Sequence, residues 1–266
     1  MSPPSRTALV TGAGGTLGAA IAGHLAGAGH AVGLTDVDAD ALERTRAGLT
    51  GSTVAVVADA GQPDEVDRAV RAVVDGLGPL GVLVNAHGVY GPRVPFVDAD
   101  VDAWWRVLEV NLRGPALFMA SVLPAMVQAG AGHVVNLSSR AATWDDPGAS
   151  SVAYSTSKAA LTRLTAATAK ELAGTGVVVV GLSPGMVRSG MTADRPGIAT
   201  LPDDAFFPPA RTAEMVMALV SGGHDDLHGR FVHVRDDLDD LGPRLARNPS
   251  ARTLQLAPTD ADDPLA

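Results

Sequence analysis

The sequence contains no cysteine, and aromatic residues make up only 4% of its 266 residues. The absence of cysteine excludes disulfides, thiolate zinc sites, iron–sulfur clusters and cysteine nucleophiles. Basic residues are also few, since 20 Lys and Arg stand against 29 Asp and Glu, for a formal net charge of −9. Nucleic acids and anionic membranes attract positive charge, so neither is expected as a partner. A chain without cysteine is compatible with a reducing cytoplasm, where we expect the protein to be located.

One stretch without charged residues, from Thr7 to Thr35, has the length of a membrane span. It holds eight glycines, four of them between Gly12 and Gly18, and glycine destabilises a helix interior. We therefore interpret this stretch as a buried strand, a glycine turn and a helix, and we predict no membrane partner.

Short apolar runs alternate along the chain with segments of helical periodicity. The predicted strands are Ala8–Val10, Ala31–Leu34, Thr53–Val57, Val82–Val84, His133–Leu137, Val177–Leu182 and Arg230–Val234. Strands that are apolar on both faces and alternate with helices indicate an α/β domain with a doubly wound parallel sheet and helices on both faces. We predict that residues 1–235 form this single domain. Residues 236–266 are rich in Asp, Pro and Arg, and are predicted to be a C-terminal extension, either an arm or a flexible tail.

The turn from Thr11 to Gly18 lies directly between a predicted strand and a predicted helix. Its glycines would let backbone N–H groups approach a pyrophosphate at the positive end of that helix. Asp36 follows Gly18 by 18 residues, where a carboxylate can accept both hydroxyls of an adenosine ribose and repel a 2′-phosphate. No Arg or Lys stands in the turn or directly after Asp36, which favours NAD over NADP. The alternative interpretation of Asp36 is a helix N-cap.

Tyr154 and Lys158 are four residues apart on a predicted helix, so the phenol and the ammonium group lie on one face. A phenol with a pKa of about 10 is a poor base at neutral pH, and an adjacent cation stabilises its phenolate. The chain has only two Tyr and two Lys, so the spacing is not expected by chance. The alternative is a surface pair without a chemical role.

Together these motifs resemble those of the short-chain dehydrogenase/reductase family, of the Tyr-x-x-x-Lys type, over about Thr7 to Val234. The resemblance implies a Rossmann-type fold in which residues 1–235 bind NAD and carry the catalysis. The catalytic residues that it implies are Asn111, Ser139, Tyr154 and Lys158. The cofactor-binding residues that it implies are Gly12, Gly15, Thr16, Leu17, Gly18, Asp36, Asp59, Ala60, Asn85, Ala86, Tyr154, Lys158, Pro184, Gly185, Val187 and Ser189.

The family pattern assigns a role to each catalytic residue. Ser139 would bind the substrate oxygen, and Tyr154 would exchange the hydroxyl proton as general base or acid. Lys158 would bind the nicotinamide ribose and lower the pKa of Tyr154, while Asn111 would hold a water that links Lys158 to solvent. The separation of 15 residues between Ser139 and Tyr154 is slightly longer than usual, so Ser138 is a second, weaker candidate.

Three positions depart from the family pattern. Thr16 stands where the family has its middle glycine, so its hydroxyl must face outward or bind a phosphate. Ala86 and His87 replace two residues of the Asn-Asn-Ala-Gly segment. His87 is a weak candidate for substrate contact, and packing is the alternative interpretation.

Bulky side chains lie after Ser139 and in the region of Ser189, where the substrate pocket is expected, and these are Trp144, Met186, Met191, Phe206 and Phe207. They favour a small apolar alcohol or ketone as substrate, with Trp144, Met186 and Met191 as candidate contacts. Arg140 and Arg188 could instead bind a carboxylate.

The sequence therefore predicts an NAD-dependent oxidoreductase that interconverts a secondary alcohol and a ketone by hydride transfer, with Tyr154 as acid and base. We expect no metal, and a homodimer or homotetramer by analogy with the family. The alternatives are an NADP-dependent ketoreductase of a biosynthetic pathway and a dinucleotide-binding sensor without turnover.

Overall fold

A single seven-stranded sheet organises the protein. The computed structural model describes residues 5–143, 151–193, 198 and 200–254. All neighbouring strands are parallel, in the order β3-β2-β1-β4-β5-β6-β7. The strands are β1 (Thr7–Thr11), β2 (Ala31–Asp36), β3 (Thr53–Val57), β4 (Val82–Asn85), β5 (Gly132–Leu137), β6 (Val177–Ser183) and β7 (Phe231–His233). The doubly wound parallel sheet predicted from the sequence is confirmed.

Helices connect the strands and cover both faces of the sheet. They are α1 (Thr16–Gly27), α2 (Ala39–Ala47), α3 (Pro63–Leu77), α4 (Val101–Leu108), α5 (Gly114–Ala129), α6 (Val152–Glu171), α7 (Gly190–Ala193), α8 (Pro209–Val220) and α9 (Leu238–Arg247). Alternate residues of each central strand point to opposite faces. Val10 and Val84 therefore pack with α1, α8 and α9, whereas Leu9 and Leu83 pack with α3 and α5.

The helical region from Val101 to Ala129 deviates from α-helical geometry at one place. A π-helical turn over Glu109–Arg113 joins α4 to α5, whereas Pro124 lies inside α5 and Pro115 in its first turn. A proline in a first turn sacrifices no intrahelical hydrogen bond, so it does not end the helix. The irregular turn contains Asn111, and such turns occur frequently at functional sites.

The described part of the C-terminal extension packs onto the domain. Leu238, Leu241 and Leu245 of α9 are buried in the same cluster as α1 and α8. Asp237 begins this helix by accepting hydrogen bonds from the N–H groups of the first turn. Residues 236–254 are thus part of the folded domain, and residues 255–266 lie outside the described residues.

The order of the strands creates a crevice at one edge of the sheet. From β1 the chain passes to β2 and β3 on one side, and to β4, β5, β6 and β7 on the other. The connections on the two sides run over opposite faces, so they leave a gap beyond the carboxyl ends of β1 and β4, which is where ligands bind in open α/β sheets.

Leu241→Ala tests whether α9 belongs to the cooperative fold. Leu241 is only 4% exposed. We expect its truncation to lower the free energy of unfolding by about 2–5 kcal/mol, measured by urea denaturation. The exposed Arg244 of the same helix is the matched control, and Arg244→Ala should change stability by less than about 0.5 kcal/mol. Equal small effects of the two changes would show that α9 is not packed in solution.

Candidate functional site

Two cavities meet at the crevice. The turn cavity, of about 600 Å³, is lined by the glycine turn, by the ends of β1, β2 and β3, and by Arg106. The tyrosine cavity, of about 300 Å³, is lined by Tyr154, Lys158 and the segments that follow β5 and β6. His87, Gly88 and Ser189 line both, so the two cavities adjoin.

The glycine turn brings backbone to the floor of the turn cavity. Gly12 has φ of +64°, and a Cβ there would lie 2.6 Å from the Cα of His87. A Cβ on Gly18 would overlap the carbonyl oxygen of Gly12. Helix α1 begins at Thr16 after Gly15, which supplies no side-chain cap, so the first-turn N–H groups have no side-chain partner there. The exposed Thr16 lines the cavity, as its predicted outward orientation requires.

Asp36 ends β2 at the rim of the turn cavity. Its carboxylate accepts the N–H of Gly14 at 2.8 Å and that of Asp38 at 3.0 Å. The alternative interpretation of Asp36 as an N-cap is wrong, because the residue that caps α2 is Asp38, which accepts the N–H of Ala41. Arg44 of α2 lines the same cavity, and its contribution was missed because it lies eight residues beyond Asp36.

Asp59 and Ala60 follow β3 and also line the turn cavity. The Asp59 carboxylate accepts the N–H of Gly61 and pairs with the Arg106 guanidinium at 2.6 Å. Partial burial alone would raise the pKa of Asp59, but the Gly61 N–H and the nearby Arg106 hold this pKa below its usual value. Part of the Asp59 carboxylate is thus engaged within the protein, so less of it is available to a ligand than the sequence suggested.

His87 is held from both sides by protein groups. Its Nδ1 lies 2.5 Å from the Thr11 hydroxyl and its Nε2 lies 3.1 Å from the Val110 carbonyl oxygen. A carbonyl only accepts, so Nε2 carries the proton and Nδ1 accepts from Thr11. Burial, and then the nearby Lys158, lower the pKa of His87 to about 3, so the ring is neutral. Both ring nitrogens are in use, which favours the packing interpretation of His87 over substrate contact.

Helix α6 carries Tyr154 and Lys158 on its face toward the tyrosine cavity. The Lys158 ammonium group donates to the Leu137 carbonyl oxygen at 2.8 Å and lies 5.8 Å from the centroid of the Tyr154 ring. Burial lowers the pKa of Lys158 to about 8. The Tyr90 ring packs against the Tyr154 ring, with 4.7 Å between centroids and 32° between the ring planes.

The two serines after β5 have different hydrogen bonds. The Thr162 hydroxyl donates to the Lys158 carbonyl oxygen, so its oxygen accepts from Ser138 at 2.6 Å. The Ser139 hydroxyl instead accepts the N–H of Ala141 at 3.2 Å, and no described residue takes its proton. Ser138 is therefore committed to α6, and Ser139 is the better donor toward the cavity.

Asn111 is fully buried and lines neither cavity. Its amide accepts the N–H of Val89 and donates to the carbonyl oxygen of Val89 and to the Ser157 hydroxyl, at 2.8–3.0 Å. Asn85 also lies beneath the cavities, where it donates to Asn136 at 2.8 Å. These two asparagines connect elements that carry the site, but their side chains do not reach the space for a ligand.

The segment after β6 closes the tyrosine cavity. Gly185 has φ of +69°, and a Cβ there would lie 2.6 Å from the Phe207 ring. The backbone N–H of Ser189 donates to the Thr192 hydroxyl at 2.8 Å. Arg188 points elsewhere, because it pairs with Asp203 at 2.6 Å and lines none of the cavities.

Most of the residues predicted from the sequence are thus brought together. Those that line one or both cavities are Gly12, Gly15, Thr16, Leu17, Gly18, Asp36, Asp59, Ala60, Ala86, His87, Ser139, Tyr154, Lys158, Pro184, Gly185, Met186, Val187, Ser189 and Met191. Asn85 and Asn111 lie beneath them, and Trp144 lies outside the described residues. Among the described residues, no cluster of three or more His, Asp or Glu could hold a metal ion.

Solved structures share the fold, among them the following two. A 3-ketoacyl-(acyl-carrier-protein) reductase from Brucella melitensis, complexed with NADH, has a TM-score of 0.80 and 26% identity, over 86% of this chain and 96% of that one. An actinorhodin polyketide ketoreductase with NADPH has a TM-score of 0.78 and 28% identity, over 86% of this chain and 95% of that one.

The sequence comparisons agree. A short chain dehydrogenase of Pseudocercospora fijiensis is 36% identical over 211 residues, which are 75% of this chain and 63% of that protein. The 2-(R)-hydroxypropyl-CoM dehydrogenase of Xanthobacter autotrophicus is 34% identical over 229 residues, which are 81% of this chain and 91% of that protein. The family model for short chain dehydrogenases matches residues 6–197. The chain therefore belongs to the short-chain dehydrogenase/reductase family, oxidoreductases that act on CH–OH groups with a nicotinamide dinucleotide.

Proposed function

We propose that the protein interconverts a secondary alcohol and a ketone, with NAD as hydride carrier and Tyr154 as general acid and base. The observation that carries the proposal is the buried ammonium group of Lys158, 5.8 Å from the Tyr154 ring centroid, in a cavity that adjoins the glycine turn. A buried cation beside a phenol favours the phenolate and makes proton exchange near neutral pH accessible.

The turn cavity has features that suit a dinucleotide. The first-turn N–H groups of α1 lack a side-chain cap, which suits a pyrophosphate, and glycines leave room for its close approach. Asp36 at the end of β2 would accept the adenosine ribose hydroxyls and repel a 2′-phosphate. When bound, NAD supplies or accepts the hydride. The expected partner for its carboxamide is Ser189, which lines both cavities.

The groups around the reacting carbon then act in sequence during oxidation. Ser139 would donate a hydrogen bond to the substrate oxygen, and Tyr154 would remove the hydroxyl proton as the hydride leaves. In reduction Tyr154 would return the proton. Lys158 would lower the pKa of Tyr154 by its charge. Asn111 would act as a positioning residue, since its amide ties Val89 to α6; its predicted link to a water stays a prediction.

The walls near the reacting groups favour an apolar carbon skeleton. Met186, Val187, Met191 and Phe207 line the tyrosine cavity beside Tyr154. At about 300 Å³ the cavity suits a small ligand. We therefore propose a small alcohol or ketone whose carbon chain next to the carbinol carbon is apolar.

The proposal also covers the oligomeric state and the cellular location. Apolar side chains of and before α4 are exposed, including Phe96, Val97, Val101 and Trp105. An exposed apolar patch of this kind supports a homodimer or homotetramer. The lack of cysteine supports a cytoplasmic location.

A second candidate is an NADP-dependent ketoreductase. The observation in its favour is Arg44, a cation that lines the turn cavity together with Asp36 and could attract a 2′-phosphate. A sensor without turnover is less well supported, because it has no need for a phenol beside a buried ammonium group.

Tyr154→Phe tests the acid–base role. The change removes only the hydroxyl, so NADH binding, followed by nicotinamide fluorescence, should be retained. Turnover of secondary alcohols with NAD should fall by about 10³-fold or more, because proton transfer has lost its group. A variant that keeps more than a tenth of the wild-type rate would refute the role of Tyr154.

Asp36→Asn tests the cofactor preference. Asparagine keeps an acceptor for the Gly14 N–H but removes the charge that repels a 2′-phosphate. The ratio of the NADPH to the NADH dissociation constant should fall by about tenfold or more, as expected for one unit charge near the site. Asp40→Asn, at an exposed position in the first turn of α2, should leave the ratio unchanged. A wild-type preference for NADPH would contradict the NAD assignment.

The pH dependence of stability tests the burial of Lys158. Between pH 8 and 10.5 the unfolded chain keeps a proton on Lys158 that the folded protein has released, so the contribution of Lys158 to stability rises with pH. The free energy of unfolding of wild type relative to Lys158→Met should therefore rise by about 3 kcal/mol from pH 7.5 to 10.5. The exposed Lys170 is the control, and the difference between wild type and Lys170→Met should stay constant. A flat difference for Lys158→Met would contradict the lowered pKa.

A further inference from the structure

The tyrosine cavity continues into a third cavity that the family motifs do not include. This cavity, of about 530 Å³, lies between the segment after β5, the end of β7 and residues 252–254. Arg140, His233 and Arg235 line both the third cavity and the tyrosine cavity. A ligand in the tyrosine cavity can therefore extend toward these three side chains.

The third cavity is positively charged in a protein that is negatively charged overall. The charged residues that line it are Arg140, Arg235, Arg252 and Asp236. The Asp236 carboxylate is held by both guanidinium nitrogens of Arg252, at 2.8 and 3.1 Å, and also accepts the N–H of His233. Its charge is thus matched by Arg252, and no described residue supplies a carboxylate to the Arg235 guanidinium. The formal net charge of the chain is −9, so a cluster of arginines in one cavity is not expected from the composition.

Arg235 is fixed on the cavity wall by an aromatic ring. Its guanidinium carbon lies 5.0 Å from the centroid of the Phe207 ring. Phe207 is held in turn, because its N–H donates to the Met186 carbonyl oxygen at 2.8 Å and its ring fills the space that Gly185 leaves open. No described residue forms an ion pair with Arg235, in contrast to Arg188, which is paired with Asp203. The stacking orients the Arg235 charge but leaves its N–H donors available.

His233 adds a neutral donor beside this charge. Its Nδ1 accepts the backbone N–H of Arg235 at 3.2 Å, so the neutral ring carries its proton on Nε2. Burial lowers the pKa of His233, and Arg235, Arg140 and Arg252 lower it further against the opposing effect of Asp236. The neutral His233 ring thus offers an Nε2–H donor beside the Arg235 guanidinium.

We propose that the substrate carries an oxyanionic group, of the carboxylate or sulfonate class, at the end remote from the reacting carbon, and that Arg235 binds it with help from Arg140 and His233. The proposal rests on the proposed function only for the place of the reacting carbon, beside Tyr154. Planar guanidinium groups bind such oxyanions through paired, charge-assisted hydrogen bonds. An apolar chain in the tyrosine cavity and an anionic end in the third cavity together define an amphipathic hydroxy or keto acid.

The experiment compares saturated ligands that cannot react. Hexanoate, octanoate, hexanesulfonate and the neutral hexanamide and octanamide are titrated by calorimetry into the protein, with and without NADH. In wild type the acids should bind at least about tenfold more tightly than the amides, which corresponds to one charge-assisted contact. Comparison of hexanoate with hexanesulfonate tells which oxyanion fits better.

Variants at Arg235 assign the preference to this side chain. Arg235→Gln should reduce the preference for acid over amide to within about threefold, and Arg235→Lys, which keeps the charge, should retain part of it. Arg71→Gln, an exposed charge on α3 that lines none of the three cavities, is the matched control and should behave as wild type. Thermal unfolding checks that each variant is folded.

The outcomes separate this proposal from the proposed function. Equal binding of acid and amide, binding of neither, or a preference that survives in Arg235→Gln would overturn the anion site. Failure of the proposed function shows in a different measurement, namely no NADH binding and no reduction of a neutral ketone such as 2-heptanone. That result would leave the comparison of acid with amide intact.

Discussion

Burying the ammonium group of Lys158 is the constraint on which the site depends. A buried cation is costly unless fixed acceptors replace its hydration, and here the Leu137 carbonyl oxygen at the end of β5 is such an acceptor. That bond requires α6 to lie against the carboxyl end of β5. A second hydrogen bond holds α6 in the same position against β5, because Ser138, which follows β5, donates to the Thr162 hydroxyl of α6. The Thr162 hydroxyl in turn donates to the Lys158 carbonyl oxygen. The position of Tyr154 therefore follows from the position of Lys158, one helical turn away.

The sequence predicted the parts of the site that depend on neighbouring residues. The glycine turn follows β1 directly, Asp36 ends β2, and Tyr154 and Lys158 are one helical turn apart, so spacing alone brings their chemistry to one edge of the sheet. All seven strands were predicted for the same reason, because a buried parallel strand is a short run of apolar residues. Spacing did not decide between Ser138 and Ser139. The hydrogen bonds of Thr162 favour Ser139, and Thr162 is distant in sequence.

Features that depend on distant residues were missed. His87 is engaged by Thr11 and Val110, from two other segments, and no local pattern reveals such contacts. The three leucines of α9 recur at helical spacing, but the Asp, Pro and Arg around them favoured a tail until α1 and α8 were known to cover the leucines. The π-helical turn at Asn111 was not predicted from the sequence either.

The family match includes some of the residues that line the site and not others. The family match ends at residue 197, and it contains the glycine turn, Asp36, Tyr154 and Lys158. Phe207, His233 and Arg235 lie beyond it, yet they line the tyrosine cavity. The same C-terminal region supplies α9 to the core, so it packs with the rest of the domain. The residues proposed to bind the cofactor therefore lie within the family match, whereas part of the wall proposed to contact the substrate lies beyond it.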